Sequence, residues 1–173
     1  MIDNAELIAD CDSCLGLCCI AHYFSIGDDY SIDKQQYVPC PNLDKSYRCS
    51  IHEKLDEEGM SGCSSFNCWG AGQRTCKRVV TQPDWQHIPN MAQNLFEIYF
   101  KLREIHKLIR PLMTMLDTCS DPVLAEEIKL DIEALDNLAK LPDAKLRSLD
   151  LTPTIKITHS LVKTINKASE KMS

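Results

Sequence analysis

The stretch CDSCLGLCC, residues 11–19, places four cysteines within nine positions. Nothing else in the chain limits its fold so strongly, because thiols at this density must be oxidised, bound by metal or packed away. Nine of the ten cysteines fall between Cys11 and Cys76, and only Cys119 lies outside that region. The opening residues MIDNAELIAD are acidic and offer neither a basic leader nor a long apolar run. No stretch approaches the roughly 18 apolar residues that a membrane span needs. These features predict a soluble cytoplasmic protein with no membrane partner. In a reducing compartment such cysteines point to metal before disulfides.

The front-half spacing is C-x2-C-x3-CC-x20-C-x8-C-x13-C-x4-C-x7-C. A C-x2-C step lets one tight turn aim two sulfurs at one ion, and thiolate is the soft ligand preferred by zinc and by iron–sulfur clusters. The candidate ligands are Cys11, Cys14, Cys18, Cys19, Cys40, Cys49, Cys63 and Cys68. Eight thiols suit either two four-sulfur sites or one site with structural thiols beside it. The adjacent Cys18 and Cys19 point in different directions in most backbone conformations, so either could share a centre with Cys14. Cys76 and Cys119 read as small apolar residues. His22 and His52 lie near cysteines and read as packing or surface residues that could also replace a sulfur. Trp69 is expected to cover the metal site.

The chain changes character near Pro83, which suggests a cysteine-rich metal-binding module over 1–82 and a helical region over 83–173. The first part is rich in turn signals, such as Pro39-Cys40-Pro41-Asn42. Short strands are expected at 20–26 and 30–33, joined by Gly27-Asp28-Asp29, with a short helix around His52 to Glu58. A loop-rich knuckle of this kind buries too little apolar area to fold without a staple. Beyond it, Met91, Leu95, Ile98, Leu102, Ile105, Ile109 and Leu112 form a stripe at helical spacing, with Pro111 expected to bend or end the helix. Ser120-Asp121-Pro122 is a start signal for a second stripe through Leu124, Ile128, Ile132, Leu135 and Leu138. Thr152-Pro153 opens a third, through Ile157, Leu161, Ile165 and Ala168. The fold class is therefore mainly α, a knuckle with short β-strands followed by a bundle of about three helices.

CDSCLGLCC, PCPNLDKSYRCSIHEKL and GCSSFNC together resemble the bacterial CxxCxxCC family, described as a zinc- or iron-chelating domain. The resemblance implies metal ligation by the eight cysteines named above, although three residues rather than two precede the double cysteine here. CPNL, YRCSIH and GCSSFNCWGAGQ also resemble the cysteine-rich amino-terminal segment of some bacterial pentapeptide-repeat proteins. In those proteins the segment and a few helices precede a β-solenoid. No A-x-L-x-x repeat occurs in this chain, and Leu146 to Leu151 is at most a faint echo of one.

The net charge of −6 argues against a general nucleic-acid binder. From Lys140 onward seven bases face three acids, which fits a solvated helix face. Asp28, Asp29 and Asp33 read as solvated turn acids. The G-x-G at Gly70-Ala71-Gly72 lacks the strand–helix context of a dinucleotide site. An all-cysteine site is usually closed to water, which favours a structural or docking role for the metal over catalysis. An iron–sulfur redox or sensing protein is the alternative, and a thiol- or metal-dependent enzyme a third. The helical stripes suggest docking to an unidentified protein or self-association.

Overall fold

The computed structural model describes residues 2–79 and 91–170, so the transition near Pro83 lies outside the described residues. Seven α-helices are present there: α1 (Leu17–Ala21), α2 (Ser61–Ser64), α3 (Ala71–Val79), α4 (Met91–Thr118), α5 (Pro122–Ala139), α6 (Asp143–Ser148) and α7 (Thr152–Glu170). Short 3-10 turns at Asn4–Leu7 and His52–Lys54 complete the regular structure.

The long helices follow the apolar spacing. Leu95, Ile98, Leu102, Ile105, Ile109 and Leu112 of α4 are all buried, as are Ile128, Ile132 and Leu135 of α5. Residues three and four apart stack on one side of a helix, so each set forms a continuous face. Phe96, Tyr99, His106 and Leu108 widen the buried surface of α4, which packs against α3, α5, α6 and α7 and forms the axis of the fold. Asp121 caps α5 by accepting hydrogen bonds from the amides of Val123 (2.9 Å) and Leu124 (3.3 Å), with Pro122 at the first position where no N–H is needed.

Three expectations need correction. Pro111 does not end α4, which continues to Thr118 because Leu112 and Met113 remain packed in the core beyond it. The inward face of α7 runs through Thr158 and Ile165, with Ile155, Leu161 and Val162 partly covered, whereas Ile157 is 68% exposed. The side chain of Ala168 lies outside the described residues.

The third correction concerns the short β-strands, which are absent among the described residues. Ile20 and Ala21 belong to α1, and the antiparallel pairing shrinks to one isolated bridge between Phe24 and Lys34. Its two bonds are Phe24 N–H to Lys34 O (3.1 Å) and Lys34 N–H to Phe24 O (2.8 Å). A ladder cannot extend because the Asp33 carboxylate takes the Ile26 amide at 2.9 Å, a side chain displacing a backbone partner. The helix expected around His52 is a single 3-10 turn.

Apolar side chains gather in two clusters. The larger joins Ile2, Leu7, Leu17, Ile20, Ala21, Ala71 and Cys76 to the helices α4–α7. The smaller holds Phe24, Cys40, Leu55 and Met60, with Cys19, Cys49 and Cys63 packed against it. The opening residues are pinned to distant sequence. Arg110 donates to Asn4 Oδ1 at 3.0 Å, and a Cβ on Gly70 would stand 1.9 Å from the Glu6 carbonyl oxygen. Gly70 also has φ +74, so two independent constraints demand glycine there.

Candidate metal centre

The cysteines are positioned mostly by loops, and the loops are held by polar side chains. Asp10 accepts from the amides of Asp12 (3.0 Å) and Ser13 (3.2 Å), setting the turn in which Cys14 N–H meets Cys11 O at 3.2 Å. The Arg48 guanidinium stitches this turn to the next loop, donating to Cys14 O at 3.1 Å and Asp12 O at 2.9 Å. Asp44 in turn fixes the Arg48 loop by accepting from the amides of Ser46 and Arg48 at 2.8 and 2.9 Å.

Helix α1 buries Leu17, Ile20 and Ala21 against the larger core. At about 100° per residue this leaves Cys18 and Cys19 on the opposite flank, where their sulfurs lie 3.9 Å apart. Cys40 N–H donates to Cys19 O at 2.9 Å, drawing the next loop alongside. Cys49 forms an isolated antiparallel bridge with Leu43, and Cys63 sits in α2. Cys68 precedes the first turn of α3. A Cβ on Gly72 would fall 2.7 Å from Cys14 Sγ and 3.9 Å from Cys68 Sγ, so the missing side chain is a cradle that these two sulfurs occupy.

Lys34 lies beneath this arrangement and is 4% exposed. Its ammonium donates to the carbonyls of Ile20 (2.9 Å), His22 (2.5 Å) and Gln35 (3.1 Å), satisfying the C-terminal end of α1. Burial lowers its proton affinity, and the nearby thiols of Cys40, Cys19, Cys18 and Cys63 pull it back up.

All ten cysteines are free thiols. Burial pushes the Cys63 thiol up to about 11, with Cys40, Cys18 and Cys49 adding to the effect. Cys49 and Cys68 are also raised, chiefly by burial. Cys18 is held well above the ordinary range by its hydrogen bond to Cys19 and by burial. A half-buried set of thiols suppresses its own ionisation, and a bound cation would reverse that preference.

Among the described residues, no three His, Cys, Asp or Glu side chains stand close enough together to hold an ion as they are placed. The donor chemistry nevertheless fits a thiophilic metal. The sulfurs are soft and free of disulfides, they occupy one lobe, and the missing side chain of Gly72 admits two of them beside α3.

All eight expected ligands lie in this lobe. Cys76, read from sequence as plain packing, is buried beside them. It hydrogen-bonds Cys14, which holds Cys14 far above its ordinary range, and its sulfur accepts from Leu15 N–H at 3.4 Å. Gly72 and Cys76 stand four apart on one face of α3, a relation legible only once α3 is recognised. An open groove of about 380 Å³ brings solvent to Cys14 and Cys76, past Ser13, Tyr47, Arg48 and Lys77.

Of the two candidate histidines, one ring is packed among aromatics and the other is exposed. His22 packs edge-on against Phe66, Tyr99 and Phe100, with Nε2 3.3 Å from the Tyr99 hydroxyl, and burial lowers it to about 4. His52 is exposed. Trp69 has φ 53, and its carbonyl accepts the Nδ1–H of His106 at 2.5 Å. His106 Nε2 receives Arg74 at 3.0 Å, and Arg74 also donates to Asp136 Oδ1 at 2.9 Å. Burial pushes the Asp136 carboxyl up, but bonds from Lys140 and Arg74 outweigh it and hold the group below its usual range. This network ties the residue after Cys68 to α3, α4 and α5.

The chain is 32% identical over 146 residues to YybG, an uncharacterized protein of Bacillus subtilis (strain 168). The match covers 84% of this chain and 52% of YybG, so the chain spans about half the length of the curated relative it matches. No family model matches the sequence, and no solved structure matches it.

Proposed function

We propose that this chain is a metal-binding module, taking zinc or an iron–sulfur cluster, whose metal has a structural role and whose helices dock a partner or a second copy. The observation that carries this reading is the gathering of eight free thiols into one lobe, with the missing side chain of Gly72 letting the sulfurs of Cys14 and Cys68 approach α3. Loops held by Asp10, Arg48 and Asp44 would gain their missing cohesion from the metal, since binding at a structural site contributes directly to folding. Ten free thiols fit a reducing, cytoplasmic setting.

The resemblance to the CxxCxxCC family and to cysteine-rich segments of pentapeptide-repeat proteins supports the same reading. YybG carries nearly as much sequence again outside the match, as expected for a segment that accompanies a further region elsewhere. Val123, Leu130 and Ile157 project from the helices into solvent and are candidate docking contacts. The exposure of Cys11 favours a second reading, an iron–sulfur centre with one exchangeable ligand used in redox or sensing.

Anaerobic purification followed by metal analysis and an absorption spectrum separates these outcomes. A colourless protein containing zinc supports the structural module. Brown colour with sulfide-to-iron charge transfer supports the cluster, and a metal-free chain that takes up neither overturns both.

A further inference from the structure

We infer that the eight thiols form two separate four-sulfur centres, Cys11, Cys14, Cys18 and Cys68 at one and Cys19, Cys40, Cys49 and Cys63 at the other. The division rests on the metal-binding reading above and supplies the ligand assignment that sequence spacing leaves open.

The second set is the more completely enclosed. Cys40 is a core member of the smaller apolar cluster, and Cys19, Cys49 and Cys63 all pack against that same cluster. Three separate backbone contacts bring these residues in. Cys40 N–H bonds Cys19 O at 2.9 Å, Cys49 bridges Leu43, and Cys63 N–H bonds Met60 O at 2.9 Å beside the buried Met60 side chain. None of the other candidate ligands belongs to this cluster.

The first set is organised by α3 instead. Cys14 and Cys68 pack against the larger core, and both sulfurs lie within 4 Å of the point where a Gly72 Cβ would stand. Cys11 joins them through the turn that bonds Cys14 N–H to Cys11 O. The remaining ligand is settled by α1. Cys19 is committed to the smaller cluster by its own packing and by its carbonyl bond to Cys40, which leaves Cys18 as the fourth sulfur of the first set. The two sets meet at the Cys18–Cys19 pair, whose sulfurs lie 3.9 Å apart. Each set has four thiolates, enough to close a tetrahedral zinc site or hold one cluster. The second set is nested within the first in sequence, because Cys19, Cys40, Cys49 and Cys63 all fall between Cys18 and Cys68. The first centre therefore cannot be cut out as a contiguous segment, because the second lies inside it.

The test uses the full chain reconstituted with zinc, and then with cadmium-113. Two zinc ions per chain are expected, with two cadmium resonances in the range of four-thiolate sites and no coupling through a shared sulfur. Cys68→Ser should remove one ion, and Cys11→Ser/Cys68→Ser should also remove only one, since both changes fall within one set. Cys63→Ser/Cys68→Ser should remove both. One ion in the wild-type chain, a shared thiolate bridging two cadmium ions, or loss of both ions from Cys11→Ser/Cys68→Ser would each overturn the division while leaving metal binding intact. The cadmium spectrum needs no variant, so a substitution that prevents folding does not remove the test. A chain that binds neither metal would instead bring down the underlying metal-binding reading.

Discussion

The cysteine lobe and the helical bundle are built on different physics. In the bundle, α4 buries apolar faces on several sides, and its order follows from area removed from water. In the lobe, Asp10, Asp33, Asp44, Lys34 and Arg48 hold loops by side-chain bonds to backbone, and the apolar cluster is small. Hydrophobic packing needs no particular partner, so the bundle has no need of metal. On the proposed reading, the loops of the lobe, held largely by individual polar contacts, gain cohesion when a metal engages their sulfurs. On that reading, one chain carries a conditionally folded region on a permanently folded one.

Metal removal should break the comparison most sharply. Structural zinc supplies about 10 kcal/mol or more in small domains. Chelation is expected to expose the lobe thiols to alkylation while far-ultraviolet circular dichroism keeps most of its helical amplitude. Loss of both together would show that the two regions stand or fall as one. Next in size is the joint between them. Arg74→Ala takes one partner each from buried Asp136, which keeps Lys140, and from His106, and should cost about 1.5–3 kcal/mol, read as a lowered denaturation midpoint.

Acid probes the same joint. Burial lowers His106 from its ordinary 6.5 to about 4. Between those values the unfolded chain binds a proton that the folded chain refuses, so stability is full above pH 6.5 and falls as pH drops towards 4. The loss should be about 3 kcal/mol. His22 acts in the same window, so the difference between wild type and His106→Gln isolates the His106 share.

Two smaller effects lie within the lobe. Lys34→Met leaves three carbonyls without their charged donor and should cost about 1.5–3 kcal/mol in thermal melts. Gly72→Ala gains helix propensity of about 1 kcal/mol but presses a methyl group onto Cys14 Sγ. Its stability should therefore shift little, while metal content at the Cys14 and Cys68 set falls. Unchanged metal content would mean that the cradle has no part in ligation.

The bundle was largely legible in sequence because its signal is periodic. The stripes of α4 and α5, the cap at Asp121 and the start of α7 at Thr152 lie where spacing and turn chemistry put them. Four shorter helices escaped, α1, α2, α3 and α6. In α3, AGQRTCKRV turns Gln73 and Thr75 inward, and Thr75 is accommodated by donating to Ala71 O at 2.7 Å, so polarity hides the buried face. In α1, LCCIA is too short to show a period and passes for the start of a strand. The gathering of cysteines into one lobe was legible as composition. Their neighbours were not, because the contacts of Lys34, Arg48 and Cys76 join residues separated by up to dozens of positions.

The long-range pins on the opening residues have a consequence for synthesis. Asn4 waits for Arg110, which is 106 positions away, and Ile2 and Leu7 are buried in a core completed by α4. At about 5–20 residues per second, roughly 5–20 s pass between translation of the two ends of that contact. In the last third of that interval the cysteine segment, complete at Cys76, is already made but cannot dock. Its thiols are at their most vulnerable to oxidation and to the wrong metal before the protein is finished, and the order of the chain leaves their protection to the cell.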